Sequence, residues 1–368
     1  MKIIIIADNL EHGGVASAVK GFFYALKRNY PQDQIDFVVY KTPTVKTQGD
    51  FLQFNSHIFV TQSVSMAGPL KYARNIQEIL IKNGPYDAIH MHTGPFIWLA
   101  AKTAKKVGIK SRIGHAHGSG IVKKKLLPYL VKLCVTYIGR RYNRKYCTTL
   151  FACSDKSGKF NFGKSYRFLP NIVNIEKICV ENPVDLYSEF NLSNECIVIG
   201  YLGVFGTDKN TAFLVDIMKL FASKKDIYCL MAGDGDQFTS VKERVEKEGL
   251  QDKVKLLGYR NDGNRLLKFF DVLVAPSFTE GMSLTLLEAQ LTGTPCVVSK
   301  QIPQTNDLQM DLYYPVGDFI PQNWKNKILE VLSCRQNTTL EWRLGKLKDI
   351  GYDNDTVARV LHEAFQND

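Results

Sequence analysis

The sequence predicts an α/β protein made of two doubly wound, parallel-sheet domains. Three observations carry this expectation. The chain opens on an unbroken aliphatic run, Ile3-Ile4-Ile5-Ile6-Ala7, typical of a strand buried on both faces. Short apolar runs then alternate with stretches of helical periodicity, the pattern of βαβ units. Finally, 368 residues with 45% hydrophobic content suffice for two ordinary cores.

The first series of strands is expected at residues 3–7, 35–40, 57–61, 88–91, 112–116 and 149–153. Between them, helices are expected at 15–27, where Val15, Val19, Phe22 and Leu26 share one face, and at 70–82 and 96–107. A second series has strands at 197–203, 227–232, 254–257, 271–275 and 296–299, with helices at 211–222, 238–248 and 264–270. The expected domains are 1–172 and 173–346. From about residue 347 the tail reads as a short loop and a terminal helix.

Bulk properties narrow the class. No apolar run approaches the ~20 residues that span a bilayer. The start, Met1-Lys2-Ile3 through Asp8, turns acidic too early for a signal peptide and reads as a core strand. The eight cysteines form no C-x-x-C pair, which favours small buried thiols in a reducing cytosol over a zinc ribbon or disulfide scaffold. Charge is asymmetric: residues 1–172 carry 26 Lys and Arg against 8 Asp and Glu, a net of +18, while the rest carries 21 against 28, a net of −7. A basic half points to an anionic partner: a membrane surface, a lipid-linked phosphate or nucleic acid. No nucleic-acid-binding motif accompanies it, so no nucleic-acid partner is expected.

Several stretches carry candidate chemistry. After the first strand, His12-Gly13-Gly14 forms a glycine turn before a helix, where backbone can approach a phosphate; Gly13 and Gly14 are the candidate contacts. His90 and His92, then His115 and His117, end two strands. Such pairs invite a zinc reading, but no third ligand follows at a usual spacing, and no metal is expected; hydrogen-bonded structural histidines are the other reading. Lys123-Lys124-Lys125-Leu126-Leu127-Pro128-Tyr129 continues to Arg140-Arg141. Basic residues interleaved with Leu, Val and Tyr read as a membrane-interface or acceptor-binding segment, or as a solvated face.

The densest stretch is Ser277-Phe278-Thr279-Glu280-Gly281-Met282-Ser283-Leu284, which runs into a helix containing Leu287, Glu288 and Leu291 and stopped by Gly293 and Pro295. The apolar run before it makes Glu280 a loop residue at a strand's carboxyl end. The amides of Gly281 to Leu284 begin a helix, a ready anion site. Two carboxylates flanking a phosphate site can hold hydroxyls on either side, which describes a nucleotide sugar.

The Glu280–Glu288 spacing with Gly281 resembles the E-x7-E signature of retaining family 4 glycosyltransferases. Other stretches resemble the same family in order: the Gly13-Gly14 turn, Arg112-Ile113-Gly114-His115-Ala116-His117-Gly118, Phe151-Ala152-Cys153-Ser154-Asp155, Leu169-Pro170-Asn171, Lys209-Asn210, Gly233-Asp234-Gly235 and Leu257-Gly258-Tyr259-Arg260. The chain is most similar to enzymes of bacterial capsular and exopolysaccharide assembly. The resemblance implies a GT-B fold, two Rossmann-like domains facing a cleft, with the C-terminal helix crossing back to the first domain. It implies transfer of a sugar, with retention, from a nucleotide diphosphate sugar, expected to be UDP-linked, to a lipid-linked saccharide. No cofactor or divalent ion is implied.

In that reading His117 stabilises the sugar-ring transition state and Glu280 binds sugar hydroxyls. Lys209 and the helix start hold the diphosphate, Glu288 the ribose, and Tyr259-Arg260 the nucleobase side. The implied location is cytoplasmic, on the anionic inner face of the membrane. Two departures stand out. Val204 occupies the position of the family's phosphate-binding arginine, a role Arg260 or Arg265 could take over. Ile172 and Asn174 replace the residues that usually follow Pro-Asn. Alternative readings are a weakly active or inactive subunit that binds acceptor or a protein partner, and a sugar-nucleotide 2-epimerase.

Overall fold

The computed structural model describes residues 1–118, 120, 126–179, 186–189, 192–334 and 337–366. The chain forms two compact units, Met1–Val173 with Gly351–Asp368, and Asn174–Ile350.

Unit 1 runs β1 (Lys2–Ala7), α1 (Gly14–Asn29), β2 (Gln34–Val39), α2 (Val45–Leu52), β3 (Ile58–Val60), α3 (Val64–Asn83), β4 (Ala88–Met91), α4 (Ile97–Lys106), β5 (Ser111–Ala116), α5 (Leu126–Tyr146), β6 (Thr149–Ala152), α6 (Asp155–Asn161) and β7 (Arg167–Phe168). Among the described residues its strands form one parallel sheet in the order β3-β2-β1-β4-β5-β6-β7. The aliphatic run of β1 is wholly buried at the centre. On α1, Val19, Phe22 and Leu26 are fully buried while Val15 is half-buried at the rim. Within α3, Gly68 (φ 74°, ψ 162°) breaks the helix just before Pro69, so the expected start near residue 70 marks its longer segment.

Unit 2 runs α7 (Ile175–Cys179), α8 (Leu186–Glu189), β8 (Ile197–Leu202), α9 (Ala212–Lys219), β9 (Ile227–Ala232), α10 (Phe238–Lys247), β10 (Val254–Gly258), α11 (Gly263–Phe269), β11 (Val272–Ala275), α12 (Leu284–Thr292), β12 (Cys296–Ser299), β13 (Tyr313–Val316), α13 (Pro321–Ser333) and α14 (Leu340–Asp349). Its described strands form a parallel sheet, β10-β9-β8-β11-β12-β13. In both sheets the order reverses beside the first strand, between β1 and β4 and between β8 and β11. Ligands of doubly wound sheets bind outside the strand ends at such reversals.

The last helix, α15 (Asn354–Gln366), belongs to unit 1. Residue 347, the expected start of the tail, lies inside α14, whose amphipathic turn buries Arg343 and Leu347. Leu361, Ala364 and Phe365 of α15 are buried, and the helix packs along α1, β4 and β5. The His362 Nε2 lies 3.0 Å from Asp33 Oδ2, its ring stacks on Tyr30 at 3.5 Å, and Ser111 donates to the Ala364 carbonyl at 2.8 Å.

All eight cysteines are free thiols. Cys153, Cys196, Cys229 and Cys296 are buried as expected of core thiols, but Cys134, Cys179 and Cys334 are exposed. Among the described residues, no helix is long and apolar enough to cross a membrane.

Candidate functional site

In unit 2 the loops at the carboxyl ends of β8 to β11 are tied together by backbone. Phe205 N–H donates to the Asp234 carbonyl at 2.9 Å, Gly203 N–H to Ala232 at 3.0 Å and Gly233 N–H to Gly258 at 2.8 Å. Gly233 has φ 137°, and a Cβ there would lie 1.8 Å from the Gly203 carbonyl oxygen, so only glycine allows the two turns to touch. The Gly233-Asp234-Gly235 stretch thus shapes the floor on which the 203–210 loop rests. Phe278 N–H donates to the Asp208 carbonyl at 2.8 Å, joining that loop to the one before α12.

This last contact brings Lys209 and Glu280 together. Lys209 Nζ donates to Glu280 Oε1 at 2.6 Å and lies 3.6 Å from Asp208 Oδ2, and Ser277 Oγ donates to the same Glu280 oxygen at 3.3 Å. The pair is partly buried, with side chains 23% and 15% exposed. A cation and a carboxylate, 71 residues apart in sequence, therefore stand side by side at the start of α12.

That helix start is braced from behind. Ser283 N–H donates to Asn306 Oδ1 at 2.7 Å, and the Asn306 amide donates to the carbonyls of Gly281 (3.2 Å) and Pro303 (3.0 Å). Gln290 donates to the Leu286 and Asn306 carbonyls and accepts from Leu308 N–H at 2.9 Å. Gly281 and Met282 are buried, Ser283 and Leu284 half-buried. With Ser283 N–H satisfied from behind, the first-turn amides that follow lack intrahelical acceptors and suit an anion. Glu288 is half-buried one turn further on. Asn306 and Gln290 were not legible in the sequence, since nothing distinguishes an asparagine in a polar loop until its backbone partners are known.

Val204 is half exposed, and its carbonyl accepts from the buried Tyr201 hydroxyl at 2.7 Å. Arg260 is engaged elsewhere: its guanidinium pairs with Asp262 at 2.8–2.9 Å and with Glu189 at 2.7 Å. Those two carboxylates hold its pKa above the ordinary arginine value. Tyr259 is largely exposed beside it.

Unit 1 offers two features. Gly13 caps α1 with φ 99°, and nothing lies within 4 Å of a Cβ at Gly13 or Gly14, so the helix start is open to a ligand. At the ends of β4 and β5, His90, His92, His115 and His117 share one sheet face against Phe22. His92 Nδ1 lies 2.8 Å from His117 Nε2, and His117 Nδ1 lies 3.1 Å from Asn171 Oδ1. Ser157 Oγ bonds the His117 carbonyl at 2.8 Å, and Asn161 donates to the Gly118 carbonyl at 2.7 Å. Asn171 of the Pro170-Asn171 stretch thus acts on the His117 ring, and Ser154, by accepting from Ser157 N–H at 3.1 Å, braces the residue that bonds the His117 carbonyl. Burial pushes the His117 pKa down to about 4, with the Asn171 bond opposing.

Of the basic segment, Lys123, Lys124 and Lys125 lie outside the described residues. Arg140 donates to the Phe160 carbonyl at 2.8 Å and lies over the Phe160 ring, whereas Arg141 is exposed. Leu130, Val131, Tyr137 and Ile138 of α5 are also exposed.

Comparison with known proteins gives these features a setting. Residues 187–343 match the family model described as Glycosyl transferases group 1. The chain is 27% identical over 327 residues to the putative glycosyltransferase EpsF of Bacillus subtilis, covering 84% of this chain and 82% of that one. It is 28% identical over 235 residues to an Escherichia coli UDP-Gal:alpha-D-GlcNAc-diphosphoundecaprenol alpha-1,3-galactosyltransferase, covering 60% and 59%. Among solved structures, Anabaena HepE in complex with UDP and glucose superposes with a TM-score of 0.77 at 17% identity over 99% of this chain and 98% of that one.

Proposed function

We propose, from the premise that this chain is a glycosyltransferase with a group 1 domain at residues 187–343 on a GT-B fold, that it moves a sugar from a UDP-sugar to a lipid-linked saccharide in cell-surface polysaccharide assembly. Retention at the anomeric carbon and chemistry without a divalent ion are part of the proposal. One observation carries it: Lys209 and Glu280 paired at the start of α12. A donor entering there exchanges one contact for two. Lys209 turns to the diphosphate, where a charge-assisted bond strengthens as the leaving group gains charge. Glu280 turns to sugar hydroxyls. The first-turn amides of α12 add donors to the diphosphate, and Glu288 reaches the ribose. Leaving-group stabilisation by a lysine and a helix start requires no metal.

In unit 1, His117 serves the transition state. Its ring is neutral at physiological pH, so the imidazole can lie beside a positively charged sugar ring without repelling it. The open Gly13-Gly14 turn suits a second oxyanion or the acceptor. A lipid-linked acceptor accords with the diphosphoundecaprenol substrate named for the E. coli relative, with the basic character of residues 1–172, and with the exposed apolar residues and Arg141 on α5.

Val204 and the engaged Arg260 favour one second reading, a subunit that binds sugar nucleotide weakly and does little transfer. Calorimetric titration of UDP, with UDP release assayed on lipid-linked acceptors, decides between them. Tight UDP binding lost in Lys209→Ala supports the enzyme. Absence of binding in the parent, restored by Val204→Arg, supports the weak subunit. Binding in neither defeats both.

A further inference from the structure

The transfer proposed above makes no use of His90, His92 or His115, yet each is buried, and His90 and His115 are entirely so. Both ring nitrogens of His90, both of His115 and Nε2 of His92 have no hydrogen-bond partner. The Leu169 backbone opposes the fall that burial and the neighbouring histidines impose on the His115 pKa, but it is not a hydrogen-bond partner of either ring nitrogen. Five orphaned polar atoms in one place is unusual for a folded protein, in which buried polar groups are nearly always paired. They also converge: one nitrogen from each of the three rings lies within 4.8 Å of the others.

The hydrogen-bond chain behind them fixes what His92 presents. Asn171 Oδ1 accepts, so His117 Nδ1 carries the proton and Nε2 is bare. His92 Nδ1 must then donate to His117 Nε2. That leaves His92 Nε2, the atom facing the cluster, with an unshared lone pair. Histidines that bind metals usually donate their other ring N–H in this way, which sets the tautomer and orients the ring.

We propose that His90, His92 and His115 bind a structural divalent transition-metal ion, with Zn²⁺ the best fit to three imidazole nitrogens. Zn–N bonds of about 2.0–2.1 Å in a tetrahedron put ligand nitrogens roughly 3.3 Å apart. The three nitrogens, within 4.8 Å of one another, would close by up to about 1.5 Å to reach that geometry, and the fourth position falls to a water. Burial holds all three rings neutral at physiological pH, with neighbouring histidines adding to the effect, so no proton has to be displaced on binding. The ion would sit under Phe22, on the sheet face that α15 covers with Phe365 against His90. Through His92 it would hold the His117 ring in place, without touching the reacting atoms.

The test uses the full chain, purified without a histidine tag or chelator. Mass spectrometry of the metal content after gel filtration should give about one equivalent of zinc per chain. His92→Gln and His115→Gln should fall to background, while His57→Gln, altering a half-exposed histidine near the sheet edge, should keep the metal. Exhaustive chelation should lower the melting temperature by several degrees, and Zn²⁺ should restore it. If the variants fail to fold, Co²⁺ exchanged into the parent should show the d–d bands of a nitrogen-ligated tetrahedral ion. A folded parent that contains no metal and takes up neither Zn²⁺ nor Co²⁺ overturns the proposal, and buried water then accounts for the nitrogens. Full metal content in a folded His92→Gln/His115→Gln double variant overturns it equally.

Discussion

Glu280 illustrates how much a single side chain can be asked to do from a loop. Its carboxylate is held by Lys209 and Ser277 in the loop that leads into α12, not within a strand or helix. Glu280→Ala should therefore leave the melting temperature within a few degrees of the parent while cutting turnover about 10²–10³-fold, the usual loss when one transition-state contact is removed. Unchanged steady-state turnover would refute its role. Histidine ionisation gives a second residue-scale expectation. His117 has a pKa of about 4 in the fold against 6.5 for the free side chain. Between those values the unfolded chain binds more protons, so folding stability rises with pH. The benefit is fully present above about 6.5 and lost as pH falls to about 4, amounting to ~3 kcal/mol for this group. His90, His92 and His115 shift the same way. Urea unfolding of unit 1 followed from pH 7 to pH 4.5 should show a steep loss; a flat profile would contradict the buried neutral rings.

At the scale of elements, the strand–turn–helix around α12 shows what sequence can and cannot reveal. The apolar run 272–275, the helical spacing from Leu284 and the Gly293 stop were all legible, because local periodicity and turn chemistry determine them. Gly293 does take the left-handed conformation at the helix end. The Asn306–Gln290 brace was not legible, since both partners act on backbone atoms that meet only after the sheet forms. β13 was missed because Pro315 interrupts its pattern, and proline is tolerated there on an edge strand. The histidine cluster was half legible: each H-x-H pair was visible, but the parallel pairing of β4 with β5 is what joins them. The brace gives its own expectation. Asn306→Ala leaves Ser283 N–H and the Gly281 carbonyl without their side-chain partner and should cost about 1–3 kcal/mol in chemical denaturation. It should also weaken UDP binding by loosening the helix start. A variant with parental stability and affinity would show that the brace is idle.

For the molecule as a whole, the asymmetry of charge is the property most open to test. The first 172 residues hold a net +18, and Arg141 with the exposed apolar residues of α5 adds an amphipathic strip. Sedimentation with anionic vesicles should retain the parent at low salt and release it as ionic strength rises, because screening shortens the reach of each charge. Replacing Lys123, Lys124 and Lys125 by Ser should lower the salt needed for release. Indifference to anionic lipid at low salt would assign the basic half to a solvated or protein-binding role. The two doubly wound sheets were legible in sequence because aliphatic strands buried on both faces announce themselves.

The return of α15 to unit 1 carries a consequence for biogenesis. A nascent chain leaves the ribosome amino end first, and domains generally fold in that order. Here unit 2 has its entire sequence in hand before α15 is translated, whereas the sheet face over β4 and β5 must wait for a helix encoded after all of unit 2. The later-encoded unit is thus the first able to finish, and the four histidines with Phe22 stay open to chaperones, to solvent and to any passing metal until translation has passed residue 366.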